Sequence, residues 1–179
     1  MSGIARAALA ALLMGMVLPA HAADSAYTRI LLGDCAVIAQ PIEAEDGPTW
    51  QCAGYGGLPV VMVEGDLRWF VAYGIGAENH RAMSQTLGPF NDAFRNNDTA
   101  NPMVIEWRLD DQRRPYAAIQ RFYTEGGSHL VVTRLFPADS CRVAEIDAAQ
   151  IPDANVLARQ FADQSLQFTA CPPAPQQFP

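Results

Sequence analysis

Four cysteines, Cys35, Cys52, Cys141 and Cys171, bound the fold of this chain more tightly than any other feature of its sequence. Whether they serve as bridges, metal ligands or thiols depends on the compartment, and the N-terminus speaks to that. Arg6 precedes an uncharged apolar run, Ala7–Leu18, and Pro19-Ala20-His21-Ala22 ends it with small residues on the upstream side of a cut after Ala22. The pattern predicts a secretory signal peptide over residues 1–22 and a periplasmic or secreted product. The apolar run is shorter than the roughly 20 residues a spanning helix needs. No membrane span is therefore expected after cleavage.

An even cysteine count in an exported chain reads as two disulfides, with three possible connectivities. Zinc sites favour closely spaced C-x2-4-C knuckles, and none of these spacings is close to that. No C-x-x-C is present to make a redox pair. Cys35–Cys52 and Cys141–Cys171 are favoured, because each closes a modest loop within one half of the chain. Each bridge is worth roughly 2–4 kcal/mol through restriction of the unfolded chain.

The formal net charge is −7, one unit more negative once Arg6 leaves, and every basic side chain is arginine. That balance opposes nucleic acid and unassisted binding to anionic lipid. The length after residue 22 suits one domain with a real core. A single globular domain is expected over residues 23–171, with residues 172–179 (PPAPQQFP) as a flexible tail.

Along the chain, Ala23–Thr28 reads as a short polar lead, and Arg29–Gln40 holds two short apolar runs. Pro41–Pro48 is an acidic loop. Trp50–Ala53, Leu58–Glu64 and Leu67–Tyr73 read as strands parted by Gly54-Tyr55-Gly56-Gly57 and by Glu64-Gly65-Asp66, with Gly65 suited to positive φ. Ala82, Met83, Thr86 and Leu87 fall at helical spacing, continued by Phe90, which predicts a helix over 77–87. Asn91–Pro102 reads as an exposed loop. Met103, Ile105, Trp107 and Leu109 alternate with Val104, Glu106 and Arg108, the mark of a strand with one buried face. Tyr116–Thr124, His129–Phe136 and Cys141–Asp147 add three strands. Pro152–Gln164 carries an apolar stripe of Ala154, Leu157, Ala158, Phe161 and Ala162 and predicts a second helix. The expected fold is α+β: a mainly antiparallel sheet of about six to seven strands with two packed helices and two disulfides.

Catalytic signatures are sparse. Gly74-Ile75-Gly76 lies between a strand and a predicted helix, but Asn79 stands where a dinucleotide fingerprint wants its third glycine. It reads as a flexible turn. His80 is expected on the exposed face of the first helix, and adjacent Ser128 and His129 point to opposite faces of a strand. Glu43/Glu45/Asp46, Glu64/Asp66 and Asp110/Asp111 suit solvated turns, although paired carboxylates also serve glycoside cleavage or calcium. No cofactor and no metal site is expected, and the balance leans away from an enzyme.

Two features suit binding. Arg108, Arg121 and Arg134 fall in three successive predicted strands, and Arg113-Arg114 in the turn joining the first two. On one face they would make a cationic patch for a protein or a small anionic ligand. The opposing reading pairs each with a local Asp or Glu. Tyr55 in its glycine-rich turn is a candidate contact, or packs back on Trp50. Trp50, Trp69 and Trp107 read as core.

At Trp50–Gly74, Glu106–Leu109 (EWRL), Leu130–Leu135 (LVVTRL) and Cys141–Arg159 the chain resembles uncharacterised small secreted bacterial proteins, a group that brings no activity with it. The W-x-C…V strand pattern is also similar to that of C-type lysozyme inhibitors, whose S-G-x-x-Y loop is missing here. The expected function is an exported, non-enzymatic binding or accessory module. The alternatives are an envelope hydrolase with dispersed catalytic residues and a lysozyme-inhibitor-like protein.

Overall fold

A computed structural model describes residues 23–41 and 46–179. The expected signal peptide and residues 42–45 of the acidic loop lie outside the described residues. Among the described residues, ten strands form two sheets. The larger contains β1 (Asp24–Ile30), β6 (Met103–Leu109), β7 (Pro115–Thr124), β8 (Gly127–Phe136), β9 (Asp139–Asp147) and β10 (Gln176–Phe178), side by side in that order. The smaller runs β2 (Ala36–Ala39), β3 (Thr49–Ala53), β4 (Pro59–Gly65), β5 (Arg68–Tyr73). Every pairing is antiparallel except β9 with β10. A single α-helix among the described residues, α1 (Ala154–Gln164), is followed by a 3-10 turn at Ser165–Gln167.

These elements correct the α+β expectation of one sheet with two packed helices. The protein is mostly β, with two stacked sheets. The segment expected as a first helix folds as two 3-10 turns, Ala77–Asn79 and Arg81–Ser84, parted by an extended His80. Its apolar residues serve two different cores, which no single helix face could do. Ala77 and Ala82 cover Val61 and Ala72 on the outer side of the smaller sheet. Leu87 reaches the core between the sheets.

That inter-sheet core is the larger one. Val60, Met62, Val71 and Tyr73 of the smaller sheet meet Ile105, Trp107, Ala118 and Phe122 of the larger. Trp107 is fully buried and sits edge-on to Tyr73, with ring centroids 5.4 Å apart. Such pairs add about 0.5–1.5 kcal/mol beyond burial alone. The opposite side of the larger sheet packs Ala117, Ile119 and Val132 against Ala154, Ala158, Phe161 and Ala162 of α1. β7 is therefore buried on both faces, as its apolar and small residues allow, whereas the second face of β6 carries the exposed Val104 and the buried charges of Glu106 and Arg108.

The disulfides join Cys35 to Cys52 and Cys141 to Cys171, with Cα separations of 4.5 and 6.0 Å. The first fastens the edge strand β2 to β3. The second ties the chain after α1 to β9. Within the expected tail, β10 pairs with Ala144–Ile146, and Phe178 packs edge-on against Phe161. The β4–β5 hairpin places its left-handed residues at Asp66 and Leu67 rather than at Gly65. Gly65 still pairs with Arg68, so the two residues between them form the turn and take its positive φ.

Candidate functional site

At one end of the stacked sheets three loops converge: the Asp66–Leu67 turn, the stretch from Gly88 to Asn101, and the β7–β8 turn. They bound an open groove of about 940 Å³. Its aromatic wall is built on a strand. Trp50 of β3 stacks on Trp69 of β5 at 5.6 Å, and Trp69 meets Phe94 edge-on at 5.1 Å. Trp69 and Phe94 are buried, so Trp50 is held against a fixed support and stays half-exposed.

The rim loop is held by side-chain bonds to backbone. The buried Asn91 Oδ1 accepts from Trp69 N at 3.2 Å, while its Nδ2 donates to Thr86 Oγ1 and to the Pro89 carbonyl. Asp92 exchanges two 2.8 Å backbone bonds with Tyr123, and its Oδ1 accepts from Phe94 N at 2.7 Å. Asn96 and Asn97 then take left-handed φ of 61° and 51°. Asparagine tolerates that region better than most residues, and the turn projects both residues onto the rim.

Phe90, 57% exposed, stands where this groove meets a second depression of about 540 Å³. Arg68 lies over its ring at 4.8 Å. The second depression holds His129 and Asp147, which face each other across β8 and β9. Thr124 and Glu125 line both depressions.

Two groove carboxyls titrate above their ordinary range. Burial pushes Glu64 up; the Leu67 backbone N–H opposes this, and the charges of Asp46 and Asp92 add to it. Burial likewise raises Asp92, against backbone bonds from Phe94 and Asn97. Asp92 Oδ2 is buried with no hydrogen-bond partner among the described residues.

The candidate arginines lie elsewhere. Cross-strand register places Arg108, Ala117 and Arg134 in one row, and Arg121 two pleat repeats along from Ala117, so all three arginines share the helix-facing side. The structure does not gather them into one open patch. Arg108 is buried and bonds to Asp163 of α1 at 2.9 and 2.8 Å. Arg121 donates to Ser128 Oγ and Asn155 Oδ1. Arg134 donates to the carbonyls of Tyr116 and Leu135 and lies over the rings of Tyr116 and Phe136. Arg113 pairs with Asp24, while Arg114 pairs with Asp110. Tyr55 itself packs partly on the inter-sheet core.

His80 departs from its expected exposure. It is 7% exposed, with Nδ1 3.1 Å from Ser140 Oγ, and that oxygen also accepts from Tyr73 N. Ser140 is fully buried, so the pair bridges β5, β9 and the 3-10 segment rather than facing a substrate. Reading the sequence alone misses the groove, because Trp50 looks like core and Phe90 like the end of a helical stripe. The usable signal is the run of Asn and Asp through residues 91–101, set between two strand series.

No protein-family model, no curated protein and no solved structure matches the chain.

Proposed function

We propose that this is an exported, periplasmic, non-enzymatic binding module whose ligand lies in the groove beside Trp50 and Phe90. One observation carries the reading: a groove of about 940 Å³ with aromatic rings held open to solvent by a rigid support. That volume lies at the upper end of the roughly 300–1,000 Å³ typical of ligand sites. An exposed Phe beside a half-exposed Trp costs hydration free energy that a ligand would recover. The pairing of the arginines with local acids and carbonyls favours this groove over the helix-facing side as the ligand's location.

The test is photocrosslinking in the cells that make the protein. A benzophenone side chain at Asn97, on the rim, is compared with one at Val156, which is exposed on α1. Adducts at Asn97 and none at Val156 are expected. Equal labelling at both positions, or none at Asn97, would sink the reading.

A second reading, an envelope hydrolase, is favoured by two carboxyls, Glu64 and Asp92, raised by burial in one groove, the direction of shift that a general acid needs. Release of reducing ends from a glycan, abolished by Glu64→Gln, would establish it.

A further inference from the structure

The lining of the groove is selective enough to identify a class of ligand, on the premise that the groove is the binding site. Charge comes first. Glu64, Asp92 and Glu125 face a single guanidinium, Arg95, so an anion meets a net negative lining. The other polar side chains include amides and hydroxyls, among them Asn96, Asn97, Thr99, Thr124 and Ser128. These groups both donate and accept hydrogen bonds. A cation needs acceptors alone, whereas a ligand dense in hydroxyls needs both.

The apolar part of the lining is largely aromatic: Trp50, Phe90 and Tyr123. The face of an aromatic ring carries partial negative charge and attracts weakly positive C–H groups. A pyranose ring presents such C–H groups on one face and hydroxyls around its edge. Shape supplies the third argument. The two depressions, of about 940 and 540 Å³, adjoin along Phe90, Thr124 and Glu125. A ligand filling both is extended and passes over one exposed ring.

We infer that the groove binds an uncharged oligosaccharide, which runs from Trp50 across Phe90 toward His129 and Asp147. Trp50 and Phe90 supply the stacking surfaces. Asn96, Asn97 and Thr124 read the hydroxyls.

Amide and indole spectra of the 15N-labelled protein, titrated with chitotetraose, cellotetraose, maltotetraose, pentalysine and tetragalacturonate in turn, test this. At least one neutral tetrasaccharide should shift the Trp50 indole and the Asn96, Asn97 and Thr124 amides in a saturable way. Phe90→Ala, at an exposed ring, should keep the dispersed spectrum and weaken that binding about tenfold. Saturable groove shifts with pentalysine or tetragalacturonate alone would overturn the saccharide class and leave the groove as the binding site. Silence from all three saccharides would overturn it too. The crosslinking at Asn97 then decides whether the groove itself has failed.

Discussion

Arg108 and Asp163 close a two-pronged ion pair between the larger sheet and its helix, with Nε–Oδ1 at 2.9 Å and Nη2–Oδ2 at 2.8 Å. Tyr116 adds a third bond, its hydroxyl donating to Asp163 Oδ1 at 2.6 Å. The arginine is nearly buried and the aspartate partly open to water. Asp163→Ala leaves the guanidinium with Ser25 Oγ and a distant Glu106 carboxylate. A loss of about 2 kcal/mol in urea unfolding is expected, the range for hydrogen bonds to a charged group. Arg108→Lys should cost a substantial part of the same, because an ammonium cannot engage both oxygens at once.

Arg142 and Glu145 form the opposite case. Arg142 is 1% exposed, lies over the Phe122 ring, and has two terminal nitrogens without hydrogen bonds among the described residues. Its nearest charge is Glu145, at 3.7 Å. Burial pulls its guanidinium down to about 10. A buried pair of this kind is weak as a source of stability, yet breaking it from one side is costly. Glu145→Gln should lose about 3–5 kcal/mol, and the double replacement Arg142→Met with Glu145→Leu should be close to neutral or stabilising. Thermal melts of the two variants, measured side by side, check the contrast.

The strands whose side chains alternate cleanly were legible in the sequence. Met103–Leu109 folds as the strand its pattern predicts, and the apolar stripe of Ala154, Ala158, Phe161 and Ala162 folds as the helix. Three strands were not. β1 (DSAYTRI) is an edge strand with mixed exposure, β2 has every side chain exposed, and β10 is three residues long. None buries a continuous face, so none writes a period of two into the sequence. Two sheets were missed for a related reason. Alternation reports that a strand has a covered face, and says nothing of whether helix or sheet covers it. The groove was less legible still, since it arises where loops from distant parts of the chain converge.

Asp92 gives the fold a pH dependence that can be isolated. Its carboxyl titrates above the ordinary aspartate range because of burial. Between the unfolded value, about 3.9, and the raised folded value, the native state binds more protons than the unfolded one. Its contribution therefore favours folding on the acid side and is lost as pH rises through the folded value. Asp92→Asn keeps the Oδ1 acceptor for Phe94 N and removes the charge. Relative to the variant, the wild type should lose stability from pH 4 to pH 7. Urea midpoints of both proteins across that range would show the difference; parallel curves would refute it.

The Cys141–Cys171 bridge spans 30 residues and holds the chain beyond α1 against the buried start of β9. Replacing both cysteines by alanine should cost about 2–4 kcal/mol. Amide exchange should quicken first in β10 and at Phe168, which rest on Phe161. The Cys35–Cys52 double variant should instead loosen β2, which pairs with β3 alone.

Gly54 and Gly56 belong to one glycine-rich connection but are glycine for different reasons. Gly54 has an ordinary φ of −92°, and an added Cβ would lie 2.7 Å from Trp107 Cζ2 and 2.8 Å from the Leu58 carbonyl oxygen. The Leu58 oxygen is fixed by its bond from Gly54 N, and Trp107 is fully buried, so neither can give way cheaply. Gly54→Ala should cost about 1–3 kcal/mol as overpacking. Gly56 has φ of 61° with nothing within 4 Å of an added Cβ. Gly56→Ala then pays only for backbone strain, about 1 kcal/mol, and Gly56→Asn should cost less. Near-ultraviolet circular dichroism separates the two causes. The Gly54 variant should perturb the Trp107 environment, and the Gly56 variant should leave it as in the wild type.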